Sequence, residues 1–279
     1  MYNKIYDFCK IRNKGTVYQN TDVPTPRVKF ILELLESEGI DYELDEFPIG
    51  RGFIYDDDDF SYELSLFRRK KDRRRKPKPK PVPKPEKKGF NIILKGTSDK
   101  MVIAHHDIAN PGIDNANDNS ASVINAIMLK KLKPEVNIVL TDGEEMGGLG
   151  AKQLAKKINE GYFGDIKWVL NLELTGKGGK YFFIGDYPGE LQDHIKSIFD
   201  CPIVRTPFND SITLRGYDID SVVINTLPPL TEGVSNVKYE DVFLEYKMVF
   251  NCHSNLDSLS SIDIADMKEF VETVLLKIV

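Results

Sequence analysis

Cysteine is scarce in this sequence, and it contains no long apolar run. The 279 residues include only Cys9, Cys201 and Cys252, an odd number without short spacing, which argues against a disulfide framework and against a metal site made of cysteine alone. No apolar run approaches the roughly 20 residues of a membrane-spanning helix. The first residues, MYNKIYDFCKIRNKG, lack the apolar stretch of a secretion signal. We therefore expect a cytoplasmic protein with reduced thiols and no membrane segment.

Charge is distributed unevenly along the chain. The formal net charge is −5, but residues 68–88 (RRKKDRRRKPKPKPVPKPEKK) contain 13 basic and 2 acidic residues, so this segment carries +11 and the rest carries −16. Its Lys-Pro alternation excludes a helix or a central strand, because proline lacks a hydrogen-bond donor and fixes φ. We interpret residues 50–88 as a charged, proline-rich insertion. Its basic part, residues 68–88, is a candidate docking arm for nucleic acid or an acidic partner.

Hydrophobic periodicity predicts strands that alternate with helices. The strands at 42–47 and 90–95 are expected to form a hairpin, with the insertion in its loop and the joined strand ends away from the chemistry. The alternation predicts a single α/β domain over residues 1–279, a three-layer sandwich whose mostly parallel central sheet is flanked by helices. Further predicted strands cover 101–105, 136–141, 167–174 and 220–225, and predicted helices cover 25–39, 119–132, 149–161, 189–200 and 260–279.

Acids and histidines lie at or just beyond the carboxyl ends of three predicted strands, where open α/β sheets bind ligands. Only four histidines occur in the chain, and three of them lie in these polar segments, which favours a metal site over scattered surface histidines. His106 is the exception, because strand alternation turns it away from its neighbours and predicts a packing role. The remaining polar residues of these segments are His105 and Asp107, Glu144 and Glu145, Glu173, and His253 in a loop before the last helix.

The donor types predict the metal. Histidine, aspartate and glutamate without thiolates suit zinc, with cobalt or manganese possible. Asp107 lies on the same side of the strand end as His105 and can hold the second nitrogen of its ring. The carboxylates Asp118, Glu145 and Glu173 together with a hydroxide would balance the charge of two divalent cations.

Five short motifs in a fixed order resemble a known family. They are HHD (105–107), NDNSAS (117–122), GEEMGGLGA (143–151), NLEL (171–174) and HSNLD (253–257), with DSITLRGYDI (210–219) as a weaker match. From about Asn91 to its C-terminus the chain resembles the di-zinc aminopeptidases of the bacterial leucyl-aminopeptidase type, whose relatives include glutaminyl cyclases. Departures from the family pattern are Glu173 in place of a common Asp, Ser254 in place of Thr, and Ala151 in place of Ser, and none of them removes a ligand.

The resemblance implies a role for each matching residue. His105 and Glu173 would bind one zinc, Glu145 and His253 the other, with Asp118 bridging the two. Glu144 would be the general base, and Asp107 would orient His105. Asp210 and Ser211 are candidates for the wall of the substrate pocket. From its place in a predicted helix, His194 is expected to face solvent. Asp257 is expected to form hydrogen bonds within its own loop and to steady His253.

The resemblance implies a metal-dependent hydrolase that cleaves peptide bonds at the N-terminus, with a water that bridges two zinc ions and Glu144 as general base. Two alternatives stay open at this point. One is a single-zinc transferase similar to glutaminyl cyclases, which share the ligand set. The other is a binding module on a peptidase scaffold that docks through residues 68–88, although an intact Glu144 argues against an inactive scaffold.

Overall fold

The computed structural model describes residues 1–11, 23–49, 87–226 and 252–279. Its strands form one eight-stranded sheet in the order β1-β2-β4-β3-β5-β8-β6-β7. The strands are β1 (Glu43–Ile49), β2 (Lys87–Leu94), β3 (Lys100–His105), β4 (Asn137–Thr141), β5 (Trp168–Leu172), β6 (Phe182–Gly185), β7 (Ile203–Val204) and β8 (Ser221–Thr226). The helices are α1 (Ile5–Cys9), α2 (Pro26–Ser37), α3 (Ala121–Leu132), α4 (Leu149–Asn159), α5 (Glu190–Ile198), α6 (Asp210–Arg215) and α7 (Ile264–Phe270), which continues through Val271–Leu275 to Leu276–Ile278.

The centre of the sheet is parallel. Strands β4, β3, β5 and β8 run in one direction, whereas β2 pairs antiparallel with β4 and β6 pairs antiparallel with β8. The parallel strands place all their carboxyl ends at one edge, which we call the site edge. This arrangement confirms the predicted α/β fold with a mostly parallel central sheet.

Both faces of the sheet are covered, as a buried parallel sheet requires. Along β3, Val102 and Ala104 belong to the core that includes residues of α2, α3 and α7. The alternate residues Met101 and Ile103 belong to a second core that includes residues of α4 and α6. The period of two along the strand therefore divides its side chains between two helical layers.

Helix α2 shows why the local sequence predicts its bounds. The Thr25 side chain accepts a hydrogen bond from the Val28 amide at 3.3 Å, and Pro26 occupies the first turn. Gly39 follows the helix with a φ of 66°, a conformation that favours glycine.

Among the described residues, no helix has the length and apolar content to cross a membrane.

The joined ends of the two hairpin strands lie at the site edge of the sheet. This corrects the prediction that they lie away from the candidate active site. Strand β1 pairs antiparallel with β2, with Ile49 opposite Lys87. Because β2 runs antiparallel to β4, these ends lie at the site edge of the sheet. The sequence pattern could not show this, because it depends on which strand β2 pairs with. Residues 50–86, most of the predicted insertion, lie outside the described residues.

Candidate metal centre

The residues predicted to bind metal converge at the site edge. His105 is the last residue of β3, Glu145 lies in the short helical turn Glu144–Met146 after β4, and Glu173 follows β5 directly. They form two groups that share Asp118, and within each group one potential ligand atom per residue lies within 4.8 Å of the others. The groups are His105, Asp118 and Glu173, and Asp118, Glu145 and His253.

Asp118 stands between two histidines. Its Oδ1 lies 3.2 Å from His105 Nε2, and its Oδ2 lies 3.4 Å from His253 Nε2. A second carboxylate lies near the same Nε2 atom of each histidine. Glu173 Oε2 lies 3.3 Å from His105 Nε2, and Glu145 Oε2 lies 3.0 Å from His253 Nε2. We call each histidine with its two carboxylates a half-site. The two half-sites are adjacent and share the Asp118 carboxylate.

The donor set fits zinc. All candidate ligand atoms in the two groups are imidazole nitrogens or carboxylate oxygens, and His105, Asp118 and Glu173 are buried. Burial raises the pKa of Glu145 to about 7, with the nearby Asp118 carboxylate adding to the effect. Buried carboxylates this close together are costly unless cations balance them. Divalent cations between the histidines and the acids would supply that balance.

Asp107 connects the two parts of the centre. Its Oδ1 lies 3.4 Å from His105 Nδ1, on the opposite side of the ring from Asp118. The two oxygens also accept hydrogen bonds from the amides of Glu144 and Glu145, each at 3.2 Å. Burial alone would raise the pKa of Asp107, but the neighbouring His105 ring holds it below its usual value. Asp107 therefore orients the histidine and the glutamate turn together.

Glu144 lies in a setting suited to proton transfer. Burial raises the pKa of its carboxyl well above the usual value, against the opposing charge of His105, and the charges of Glu173 and Asp210 raise it further. Its side chain is one of a third group of potential ligands, with His105 and Glu145. A buried carboxyl with a raised pKa beside a group of potential metal ligands is a candidate for proton transfer.

Asp210 and Ser211 are the first two residues of α6. Both are completely buried. Thr141 Oγ1 donates to Asp210 Oδ2 at 2.7 Å, and Ser221 Oγ donates to Ser211 Oγ at 3.0 Å. Asp210 acts on the site through its charge near Glu144. Direct contact of either residue with a substrate stays a prediction, since neither side chain is exposed in this structure.

Asp257 has contacts with the Asp118 segment that the sequence did not reveal. Its side chain was expected to form hydrogen bonds within its own loop. Instead, its Oδ1 accepts from the Asn117 amide at 2.7 Å and its Oδ2 accepts from the Asp118 amide at 3.2 Å, while only Ser261 bonds to it locally. Asp257 therefore fixes the backbone of the central carboxylate. Its only signal in the sequence is its position in the HSNLD motif.

The histidines outside the centre have structural contacts. His106 Nε2 is 2.8 Å from the Phe90 carbonyl oxygen, in agreement with the predicted packing role. The prediction that His194 faces solvent is wrong. Its ring is half-buried, stacks on Trp168, and places Nε2 2.9 Å from the Ile278 carbonyl oxygen. The helix pattern around it could not reveal a partner at the far end of the chain.

Solved structures share this fold at low sequence identity. A glutaminyl cyclase from Fimbriiglobus ruber aligns with a TM-score of 0.65 and 17% identity over 99% of this chain and 92% of its own. A Zn-dependent exopeptidase from Parabacteroides distasonis aligns with a TM-score of 0.60 and 16% identity over 99% and 96%. BSAP, a zinc aminopeptidase from Bacillus subtilis, aligns with a TM-score of 0.52 and 17% identity over 70% of this chain and 50% of its own.

Sequence comparison identifies the family. A search of curated proteins gave no match. The sequence profile of peptidase family M28, however, matches residues 91–277, which is most of the chain and includes every residue of the candidate centre. The matched range agrees with the extent of the resemblance seen in the motifs. The chain therefore belongs to peptidase family M28 and is a metal-dependent hydrolase.

Proposed function

We propose that the chain is an aminopeptidase that holds two zinc ions. His105 and Glu173 would bind one ion, Glu145 and His253 the other, and Asp118 would bridge them, with cobalt or manganese as possible substitutes. One observation carries this proposal: the two oxygens of Asp118 face the Nε2 atoms of two different histidines. One carboxylate that faces both histidines is suited to lie between two ions.

The residues around the centre support a hydrolytic mechanism. Bound zinc would lower the pKa of a water molecule and polarise the scissile carbonyl. Glu144 would take the proton of the attacking water and return it to the leaving amine, for which its raised pKa is suited. Asp107 would hold His105 and the backbone of Glu144 in place through its contacts with both.

Metal content and substrate preference test the proposal. Protein purified without chelator should contain about two zinc ions per chain by plasma mass spectrometry, as two-metal hydrolases do. It should hydrolyse aminoacyl amides, and acetylation of their free amine should abolish turnover. A reproducible metal content near zero contradicts the metal centre. Equal turnover of free and acetylated substrates contradicts the aminopeptidase assignment but leaves a peptidase.

A glutaminyl cyclase-like transferase is the second candidate. The structural likeness to a protein described as a glutaminyl cyclase supports it, because that alignment covers nearly all of both chains. Peptides that begin with glutamine separate the two candidates. A cyclase releases ammonia and keeps the peptide length, whereas an aminopeptidase releases free glutamine. A metal content near one ion per chain would also favour the cyclase.

A peptide substrate follows from the family, whereas a further partner is a proposal from sequence. Residues 68–88 carry +11 and are proposed to bind an acidic partner or nucleic acid. Such binding should weaken steeply as salt rises. Replacing this segment with a short Gly-Ser linker should remove the binding. Binding that is unchanged by the replacement, or no binding at low salt, contradicts the proposal. The cytoplasmic location also stays a prediction.

A further inference from the structure

A buried arginine joins the two chain segments that carry His105 and Asp118. Arg27 lies in the first turn of α2 and is 1% exposed. Its Nε donates to the carbonyl oxygen of His106 at 3.0 Å, and its Nη2 donates to Ser120 Oγ at 3.0 Å. His106 follows His105 directly, and Ser120 is two residues beyond Asp118. One side chain thus bonds to both segments.

The other side of the guanidinium contacts the N-terminal segment. Its Nη1 donates weakly to the carbonyl oxygens of Phe8 at 3.5 Å and Ile11 at 3.4 Å. The guanidinium carbon lies 3.9 Å from the centroid of the Phe8 ring. No carboxylate of the described residues forms an ion pair with Arg27. Burial lowers its pKa to about 10, so the group stays charged at neutral pH. A buried charge without an ion-pair partner is costly.

We propose that Arg27 is a positioning residue for the metal centre, which fixes the spacing between the His105 strand end and the Asp118 turn. This inference rests on the proposed zinc site. The guanidinium is planar, so the directions of its Nε and Nη2 bonds are set together. Ser120 Oγ in turn donates to the Asn115 carbonyl oxygen at 2.6 Å, which ties the contact to the backbone of the Asp118 turn.

Geometry rather than charge is the proposed contribution. A positive charge near the carboxylates would by itself weaken the attraction for a cation, so removing it would strengthen zinc binding. Loss of the planar guanidinium group, with its two hydrogen bonds to His106 and Ser120, would let the two segments shift and would weaken zinc binding. Lysine keeps the charge but cannot form both bonds in the same fixed plane. Arg27→Lys and Arg27→Met therefore separate the two effects.

A second buried cation provides the matched control. Lys130 Nζ donates to the carbonyl oxygens of Lys95, Pro134 and Val136 at 2.9, 2.6 and 2.9 Å. These residues lie near the start of β4, at the sheet edge opposite the metal centre. Lys130→Met should lower the unfolding temperature, as Arg27→Met should, because both leave buried carbonyls without donors. Only the Arg27 variants should affect zinc.

The experiment measures zinc affinity in the full chain by competition with a chelating dye. Both Arg27 variants should bind zinc about 10- to 100-fold more weakly, which is the usual effect of losing a residue that supports metal ligands. Lys130→Met should bind zinc as the unchanged protein does. Lower zinc affinity in Arg27→Lys at full charge is the result that a purely electrostatic role would not produce.

Two outcomes would overturn the inference. Arg27 variants that bind zinc as tightly as the unchanged protein, or more tightly, show that Arg27 only anchors the N-terminal segment. An equal loss in Lys130→Met shows a general effect of instability. If Arg27→Met does not fold, Arg27→Lys decides by the same criteria. Failure of the unchanged protein to bind zinc would instead contradict the proposed function.

Discussion

Two adjacent glutamates have different surroundings. Glu145 Oε2 lies 3.0 Å from His253 Nε2, within one half-site of the centre. Glu144 lies with His105 and Glu145 in another group, and burial and neighbouring acids raise the pKa of its carboxyl. Both backbone amides are held by Asp107, so the turn presents the two side chains in fixed directions. These surroundings fit the proposed roles, metal binding for Glu145 and proton transfer for Glu144.

Substitution should separate the two glutamates. Glu144→Gln should keep its zinc and lose about 10²–10⁴ of turnover, because only the proton acceptor is removed. Glu145→Ala should lose zinc as well as turnover, because a ligand is removed. The exposed Glu160, at the end of α4, offers Glu160→Gln as a control that should change neither property. Metal analysis and steady-state rates measure both. Near-normal turnover in Glu144→Gln would show that the base is misassigned.

Asp257 should act on the centre through the backbone of Asp118. Asp257→Asn keeps the size of the side chain but offers one acceptor oxygen in place of two. We expect zinc affinity to fall about tenfold or more, as for other residues that support metal ligands. Asp263 is the matched control, because its side chain also accepts from two backbone amides, those of Ala265 and Asp266, but at the start of α7.

Dye competition measures zinc affinity in both aspartate variants. Asp263→Ala should lower stability by roughly 1 kcal/mol through the loss of a helix cap and leave zinc affinity unchanged. If the two variants lose zinc affinity equally, the contacts of Asp257 have no special connection with the metal.

Residue types were predictable from the sequence, but long-range partners were not. The candidate ligands follow from donor chemistry and from their places at strand ends, so His105, Glu145 and Glu173 could be named before the fold was known. Asp257 and Arg27 support the centre through contacts with residues 139 and 93 positions away. Nothing in their local sequence indicates those partners, because such contacts depend on the tertiary fold.

At the scale of elements, the end of the β1–β2 hairpin packs on the glutamate turn. Phe47 and Ile49 form a small buried cluster with Met146, and Leu149 packs against it. A side chain at Gly89 would collide with the Phe47 ring, so glycine there allows the ring to lie across β2. The cluster is separate from the two main cores. Because Met146 directly follows Glu145, this packing holds one end of the turn that carries Glu144 and Glu145.

Met146→Ala should therefore affect catalysis more than stability alone explains. We expect a stability loss of about 2 kcal/mol or more from the cavity. We also expect a fall in kcat of about tenfold, because a shift near 1 Å in a catalytic group can cost up to 10²-fold. The control is Met101→Ala, which empties a completely buried position near the start of β3, at the edge opposite the centre.

Rates are to be measured well below the unfolding temperature of each methionine variant, so that the folded fraction is complete. Met101→Ala should lose at least as much stability and keep its kcat. A normal kcat in Met146→Ala, or an equal fall in both variants, would show that the hairpin cluster contributes stability only.

The elements themselves were largely predictable, since periodicity and capping residues mark them locally. The predicted helix at 25–39 corresponds to α2, and the predicted strands 101–105 and 136–141 correspond to β3 and β4. The local sequence pattern could not predict the direction of β2 relative to β4, because strand pairing joins residues that are far apart in sequence. That pairing decides which edge the hairpin reaches.

At the scale of the whole molecule, four ionisable groups in and around the metal centre have folded pKa values that are raised. Burial raises the pKa of Glu145 and of Asp210 to about 7 each, and that of Asp257 to about 6. Hydrogen bonds to Asp118 and Glu145 raise the pKa of His253 to about 10. In the metal-free protein, every one of these groups binds its proton more tightly in the folded state than in the unfolded state.

The sign of the pH dependence follows from linkage. A raised folded pKa contributes stability that is complete below the unfolded pKa and is lost as pH rises through the folded pKa. For Glu145 and Asp210 this window runs from about 4 to about 7, and for Asp257 from about 4 to about 6. For His253 it runs from about 6.5 to about 10. All four groups act in the same direction. The metal-free protein should therefore lose stability steadily between pH 5 and pH 9.

Thermal unfolding of chelator-treated and zinc-loaded protein across this pH range measures the effect. The unfolding temperature of the metal-free protein should fall by about 5 °C or more from pH 5 to pH 9. Zinc should remove most of this fall, because bound cations favour the ionised carboxylates and the neutral histidines. Asp210→Asn should reduce the fall in the metal-free protein, since an amide stays neutral at every pH. A metal-free protein that becomes more stable between pH 5 and pH 9 would contradict this electrostatic description of the centre.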